Sequence, residues 1–129
     1  MDKQKNRDHI PDKAVLQHAF ERVSGVVRHT PLLTCGTFDQ MTGSSLYFKC
    51  ENFQKGGAFK FRGAVNAVFS LSNEEAEKGV STHSSGNHAQ AVALAARMRG
   101  IEATIVMPET APQVKVNAVR GYGAEIRFC

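Results

Sequence analysis

The sequence predicts an α/β fold with a parallel sheet, and two observations support this class. From Val80 onward, short apolar or β-branched runs alternate with helical runs in the order strand, helix, strand, helix, strand. Such alternation is typical of a parallel sheet, because each helix carries the chain back to the start of the next strand. The 129 residues also include 42% hydrophobic residues, which are enough for a modest core.

The first half of the chain contains shorter and less regular elements. Leu16, Phe20 and Val23 lie on one helical face and predict a helix over residues 12–23. Apolar residues at three- and four-residue spacings predict a second helix that begins near Lys60. The other predicted features are an extended segment that starts at Thr30-Pro31, a turn at 42–45 and a strand at 46–50.

The second half carries the predicted parallel units. We predict strands at 80–82, at 103–107 and from Glu125 onward, joined by helices at 88–98 and 112–122. A polar segment at 73–78 separates the two halves and is either a hinge or an ordinary loop from a helix to a strand. Because the last residues begin a strand whose edge needs a neighbour, we expect the sequence to be cut or spliced from a longer protein.

Lys60 is the first candidate functional residue. It follows Gly56-Gly57-Ala58-Phe59 and begins the second predicted helix, with Phe61 directly after it. The positive end of a helix macrodipole and an apolar surround both disfavour the charged ammonium and favour a nucleophilic amine. Such an amine is required for covalent chemistry with a carbonyl compound. The alternative is that Lys60 is an ordinary solvated surface lysine.

A polar turn at residues 82–88 is the second candidate. Its sequence is Thr-His-Ser-Ser-Gly-Asn-His, and it joins a predicted strand to a predicted helix. Free N–H groups at a helix start, with hydroxyl and amide side chains beside them, can bind a carboxylate or a phosphate. Ser84, Ser85 and Asn87 are also common helix-capping residues, so a cap with a glycine turn is the alternative. The number of polar side chains exceeds what one cap requires, which favours a ligand site.

These two segments, with Cys50-Glu51-Asn52-Phe53-Gln54-Lys55 before the first, closely resemble the fold-type-II pyridoxal-phosphate enzymes. The resemblance is closest to eukaryotic serine racemases and the related serine/threonine dehydratases. It implies a tryptophan-synthase-β-like fold, which is a three-layer α/β architecture with a parallel sheet, present here only in part. The resemblance also includes His29-Thr30-Pro31-Leu32, Phe48-Lys49-Cys50-Glu51 and Lys115-Val116-Asn117.

The resemblance implies roles for individual residues. Lys60 is similar to the lysine that forms a Schiff base with pyridoxal 5'-phosphate and then acts as the base on one face of the substrate Cα. Phe59 resembles the residue beside the pyridine ring, and Asn87 resembles the amide that hydrogen-bonds the 3-hydroxyl of the ring. Ser85 resembles the serine that is the acid/base on the opposite face in racemases, where many threonine dehydratases carry alanine. The turn expected to receive the substrate carboxylate consists of Ser84, Ser85, Gly86, Asn87 and His88.

The resemblance therefore implies a serine racemase that interconverts L- and D-serine and also dehydrates serine to pyruvate and ammonia. A catabolic L-threonine/L-serine dehydratase is the alternative, because both reactions share one carbanion. Inversion at Cα needs two proton carriers on opposite faces, which Lys60 and Ser85 would provide. A homodimer is implied for the full-length enzyme, as is stimulation by a divalent cation (Mg or Mn) and by ATP.

The resemblance also implies a division of the chain. Residues 1–76 are expected to start the large domain, which carries the lysine, and residues 77–129 to form part of the small α/β domain. The C-terminal half is expected to be absent, with the phosphate-binding glycine loop, the residue that partners the pyridine nitrogen and the carboxylates of the metal site. A third hypothesis follows, in which the isolated chain is a catalytically inactive truncated product.

Other classes of protein are disfavoured by composition and spacing. The formal charge is +4, but the 16 basic residues are spread along the chain, which argues against a nucleic-acid-binding module. Residues 1–7 lack the apolar run of a signal peptide, and no run approaches membrane-spanning length. The 3 cysteines are an odd number without motif spacing, which favours a reducing compartment, the cytoplasm by default. No Cys or His set has zinc-site spacing, so we predict no metal site in this chain.

Overall fold

A computed structural model describes residues 11–129, and the prediction for residues 1–7 lies outside this range. The chain forms a small antiparallel pair of strands and a separate three-stranded parallel sheet. The helices are α1 (Lys13–Ser24), α2 (Gly36–Thr42), α3 (Lys60–Ser70), α4 (Asn73–Glu77), α5 (Asn87–Arg99) and α6 (Gln113–Gly121). The strands are β1 (Leu32–Leu33), β2 (Phe48–Lys49), β3 (Val80–His83), β4 (Ala103–Met107) and β5 (Glu125–Phe128), and two short 3-10 turns cover Glu51–Phe53 and Lys55–Gly57.

The parallel sheet has the order β3-β4-β5 and confirms the predicted alternation of strands and helices. Its register pairs Val80 with Ala103 and Thr104 with Glu125. Alternate residues of β4 are buried in the core with α5 and α6, whereas Thr104 and Val106 on the other face are only half-buried. The described residues therefore supply helices on one face of the sheet, in agreement with a three-layer fold that is present in part.

Helix α5 is the central element of the core. Five of its residues are alanines that are buried on several sides of the helix, Ala89, Ala91, Ala93, Ala95 and Ala96. Small side chains allow close approach, so α5 packs against the sheet and also against α3. Gly100 ends the helix with φ +74°, a left-handed conformation that glycine adopts at little cost. The buried residues of α3 and α5 belong to one cluster, which also includes Ile105 and Met107.

The segment at 73–78 is neither an open loop nor an unstructured hinge, because it forms helix α4. A capping box explains this local structure: the Ser72 hydroxyl accepts from the Glu75 N–H at 3.2 Å, and the Glu75 carboxylate accepts from the Ser72 N–H at 2.8 Å. The Arg99 guanidinium, at the end of α5, donates to the carbonyl oxygens of Val68 and Leu71 at the end of α3. Residues on both sides of the proposed boundary at 76/77 therefore share one core, and the division into domains stays a prediction.

Other differences from the prediction concern the first half. The strand expected at 46–50 is limited to Phe48–Lys49, because its partner β1 is equally short. Helix α2 was not predicted, since it is only 7 residues long and begins with a glycine. The predicted turn at 42–45 includes Gly43, which has φ +66° and ends α2. Among residues 11–129, no helix is both long and apolar enough to cross a membrane.

Candidate active site

Lys60 is the first residue of α3, as predicted, and its side chain is exposed. The Lys60 ammonium lies 5.0 Å from the centre of the Phe59 ring, which is itself 60% exposed. Phe61 does not surround the lysine as expected, because its side chain is fully buried in the core. The described residues therefore present Lys60 to solvent and do not bury it. The Lys60 amine is therefore accessible to a ligand that approaches from solvent.

The backbone before Lys60 is fixed by a buried glutamine. The Gln54 side chain is 2% exposed, and its Oε1 accepts from the backbone N–H groups of Arg28 and Lys55 at 2.9 and 3.0 Å. Its Nε2 donates to the Arg28 carbonyl oxygen at 2.9 Å. Gly56 and Gly57 follow, both at φ +71°, a conformation that strains any residue with a Cβ. The backbone conformation of this segment therefore fixes the position of Lys60 at the start of α3.

An ion pair braces the same region from the other side. Arg62 in α3 donates through Nε and Nη2 to the two carboxylate oxygens of Glu51, at 2.8 and 2.7 Å. The hydrogen bond from Arg62 is the main cause that lowers the pKa of Glu51 from 4.5 to about 2, and the Thr30 hydroxyl adds to it against the opposing effect of burial. The same contact raises the pKa of Arg62 above its ordinary value. The pair therefore stays charged and ties the turn at Glu51–Phe53 to the first turn of α3.

The polar turn follows the carboxyl end of β3. The Ser84 N–H donates to the Val106 carbonyl oxygen at 3.0 Å, and the Ser84 hydroxyl accepts from the Gly86 N–H at 3.3 Å. Gly86 is the N-cap of α5, and no side chain among the described residues caps this helix. None of Ser84, Ser85 and Asn87 therefore caps α5 as the alternative proposed, and Ser85 is exposed with no described side-chain hydrogen bond. The first N–H groups of α5 remain available to an anionic ligand.

Asn87 and His88 are the first two residues of α5, and both are exposed. The Asn87 Oδ1 accepts from the Lys115 ammonium of α6 at 2.8 Å. Sequence reasoning gave Lys115 no role, because it lies 28 residues further along the chain. The available signal was topological: α6 follows β4, and the carboxyl ends of neighbouring parallel strands meet at one edge of the sheet.

A second residue that sequence reasoning missed is Gln90, one turn further along α5. It is 7% exposed, and its Nε2 has no hydrogen-bond partner among the described residues. Its position three residues after Asn87 was the only available signal.

The structure places the two predicted segments on neighbouring elements. Gly63 in the first turn of α3 and His88 in the first turn of α5 line one cavity of about 250 Å³. The cavity is also lined by Ser81 and Thr82 of β3. No hydrogen bond among the described residues joins Lys60 to Ser85, so their action on opposite faces of one ligand stays a prediction. Within residues 11–129, no group of three His, Cys, Asp or Glu side chains could hold a metal ion.

The donor set fits a ligand that carries both a carbonyl group and anionic oxygens. Lys60 supplies an exposed primary amine, α5 supplies N–H groups that no side chain caps, and Asn87 supplies an amide. An amine reacts with an aldehyde or ketone, whereas N–H groups at a helix start bind carboxylate or phosphate oxygens. Phe59 adds an exposed aromatic face beside the amine.

Comparison with known proteins gives consistent matches. A family model described as pyridoxal-phosphate dependent enzyme matches residues 23–129. Serine racemase from Dictyostelium discoideum is 51% identical over 114 residues, which are 88% of this chain and 35% of that protein. A β-hydroxyaspartate dehydratase from Paracoccus denitrificans is 51% identical over 121 residues, which are 94% of this chain and 38% of that protein.

The structure superposes on that of maize serine racemase with a TM-score of 0.85 and a sequence identity of 52%. The superposition covers 88% of this chain and 34% of that chain. This similarity confirms the fold class that the sequence predicts. The chain spans about a third of the length of the relatives that it matches.

Proposed function

The chain belongs to the pyridoxal-phosphate-dependent enzymes, and we propose that it forms the N-terminal portion of a serine racemase. The proposed enzyme interconverts L- and D-serine and also dehydrates serine to pyruvate and ammonia. The observation that carries the proposal is the exposed amine of Lys60 at the start of α3, which packs against α5, the helix whose first turn no described side chain caps. Identity near 51% to a protein named serine racemase supports the choice of reaction.

The residues present fit pyridoxal phosphate at its carbonyl and ring. Lys60 would bind the cofactor covalently, Phe59 would contact the ring, and Asn87 would donate to the ring oxygen. When bound, the cofactor supplies an electron sink that stabilises negative charge on the substrate Cα. Ser84, Gly86 and the first N–H groups of α5 would orient the substrate carboxylate, with the Asn87 and His88 side chains beside it.

Proton transfer is assigned to two side chains. Lys60 would move a proton at one face of Cα through its Nζ, and Ser85 would do so at the other face through its Oγ. The exposed Ser85 hydroxyl has no described partner that occupies it, so it is available for this role. Racemisation needs both groups, whereas loss of the Cβ hydroxyl does not require a carrier on the second face.

Dehydration as the main reaction is the second candidate. It is favoured by the relative from Paracoccus denitrificans, which is named a β-hydroxyaspartate dehydratase. Serine, threonine and β-hydroxyaspartate all carry a hydroxyl on Cβ, so one site chemistry serves all three. A third candidate is a catalytically inactive product.

Further parts of the proposal rest on the family resemblance. We propose a homodimer of the full-length enzyme, stimulation by Mg or Mn and by ATP, and a cytoplasmic location. We also propose that residues 1–76 start the large domain and that residues 77–129 form part of the small domain. The small-molecule partners would be serine and threonine, with no nucleic acid or membrane involved.

Reductive labelling tests the lysine assignment. The natural full-length protein is incubated with pyridoxal phosphate and then reduced with borohydride. The labelled peptide is identified by mass spectrometry. We expect the label on Lys60, and we expect Lys60→Ala to abolish both the label and the visible absorbance band. Lys78→Ala is the matched control, because Lys78 is also exposed and makes no side-chain hydrogen bond to a described residue.

Product analysis with L-serine then tests the reaction. D-serine formation together with pyruvate supports the racemase. Pyruvate alone would favour the dehydratase, and a label on a different lysine with full activity in Lys60→Ala would refute the proposed site.

A further inference from the structure

We propose that Lys115 is a positioning residue, which sets the orientation of the Asn87 amide so that its NH₂ group faces the cofactor. This inference rests on the proposed function, in which Asn87 donates to the cofactor ring. The observation that carries it is the hydrogen bond from the Lys115 ammonium to Asn87 Oδ1, at 2.8 Å.

The chemistry of the two side chains fixes the direction of the amide. An ammonium group only donates hydrogen bonds, so the atom of Asn87 that faces it must be the oxygen. The amide nitrogen is then directed away from Lys115 and keeps both of its donors. Asn87 makes no other side-chain hydrogen bond to a described residue, so among residues 11–129 the bond from Lys115 is the hydrogen bond that fixes the direction of the amide.

Helix α6 fixes the backbone of Lys115 beside the start of α5. Its neighbour Val116 is 3% exposed, and Val119 is fully buried, so both are part of the core. The Lys115 N–H donates to the Pro112 carbonyl oxygen at 2.8 Å, which places Lys115 in the first turn of α6. The lysine and Asn87 are therefore attached to two helices that follow adjacent strands of one sheet.

The positive charge of Lys115 also affects the donor strength of the Asn87 amide. A cation bonded to the amide oxygen polarises the amide and strengthens its N–H donors. Such donors prefer an anionic acceptor to a neutral one, so the Lys115–Asn87 pair would favour the deprotonated form of the ring oxygen. A side chain that merely supported the fold would not change the charge state of a bound ring.

Cofactor affinity in the natural full-length protein tests the inference. We expect Lys115→Met to raise the dissociation constant of pyridoxal phosphate by about 5- to 10-fold, the effect of one partly exposed charged hydrogen bond. It should also shift the ratio of the two cofactor absorbance bands toward the form with a protonated ring oxygen. Lys115→Arg keeps a cationic donor and should restore most of both properties. Lys78→Met, which removes an exposed lysine without a described partner, should change neither.

A double-substitution cycle shows whether Lys115 acts through Asn87. If it does, Lys115→Met has no further effect on the dissociation constant once Asn87 is replaced by alanine. Equal effects of Lys115→Met in the presence and absence of Asn87 would overturn the inference.

A measurement without cofactor separates this inference from the proposed function. In the cofactor-free protein, NMR of the Asn87 side-chain amide, assigned through Asn87→Ala, should show a shift on Lys115→Met and none on Lys78→Met. An unchanged Asn87 resonance would overturn the inference whatever the enzyme catalyses. If affinity and amide resonance change as expected but no serine product forms, the positioning role stands and the proposed reaction fails.

Discussion

Arg62 donates to both carboxylate oxygens of Glu51, at 2.8 and 2.7 Å, and so connects the chain before Lys60 to the helix that Lys60 begins. The side chains of Arg62 and Glu51 are 33% and 16% exposed. Because water reaches the Glu51 carboxylate only in part, the compensation of its negative charge depends on Arg62.

Replacement of Arg62 by methionine should lower the free energy of unfolding by about 2 kcal/mol, because it leaves a half-buried carboxylate without its main partner. The midpoint of urea unfolding measures this. Arg127→Met is the matched control, since Arg127 pairs with Glu125 at 3.0 Å with both side chains more than half exposed. The control should cost less than about 0.5 kcal/mol, and an equal loss in both variants would contradict the bracing role of Arg62.

The stability of the protein should depend on pH through Glu51. Its pKa is lowered in the folded state from 4.5 to about 2, so its contribution is fully present above the unfolded value. The contribution is then lost as the pH falls from about 4.5 toward 2. Glu51→Gln should therefore be less stable than the wild type at pH 7, with a difference on the order of 2 kcal/mol that narrows between about pH 5 and pH 3. A difference that stays constant over this range would mean that the Glu51 charge is not what stabilises the fold.

Gln54 should be the most sensitive polar position in the loop before Lys60. Gln54→Leu removes the partners of two backbone N–H groups and one carbonyl oxygen, and we expect a loss of about 3 kcal/mol. Thermal unfolding would show the loss. Gln17→Leu provides the comparison, because Gln17 is exposed and bonds only to Glu21, and it should cost less than about 0.5 kcal/mol. Similar melting temperatures for the two variants would exclude an anchoring role for Gln54.

Ser85→Ala should separate the two reactions of the proposed enzyme. Loss of the proton carrier on the second face should slow racemisation of serine by about 100-fold or more and slow dehydration much less. Chiral chromatography of serine and a pyruvate assay measure the two rates. Ser84→Ala should reduce both rates together, because the Ser84 hydroxyl accepts from the Gly86 N–H and supports the turn. A parallel loss of both reactions in Ser85→Ala would remove the proton-carrier assignment.

Local patterns predicted the parallel sheet well. The apolar run of β4 was predicted with the bounds that the structure has, since it is buried on one face and half-buried on the other. The alanine-rich helix α5 extends one residue beyond the prediction at each end. Helices α2 and α4 were not predicted, because they have 7 and 5 residues and depend on caps more than on apolar periodicity.

The candidate site was predicted as a set of residues and not as a set of contacts. Lys60 begins α3 as expected, but the sequence could not show that Phe61 enters the core and leaves the lysine exposed. The contact between Lys115 and Asn87 depends on the order of the strands, which places two distant segments side by side. Local periodicity carries no information about such a neighbour.

The position of Arg99 has a mechanical consequence. Its guanidinium donates to carbonyl oxygens at the end of α3, whereas its own helix, α5, begins at Asn87. Helices α3 and α5, which pack against each other, are therefore also joined by hydrogen bonds at this end. We expect α3 and α5, held in this way, to rotate and translate together as one rigid unit. A displacement imposed on α5 by a ligand at its start would be carried directly to the helix that holds Lys60. A movement of α3 relative to α5 would have to break the hydrogen bonds that Arg99 makes.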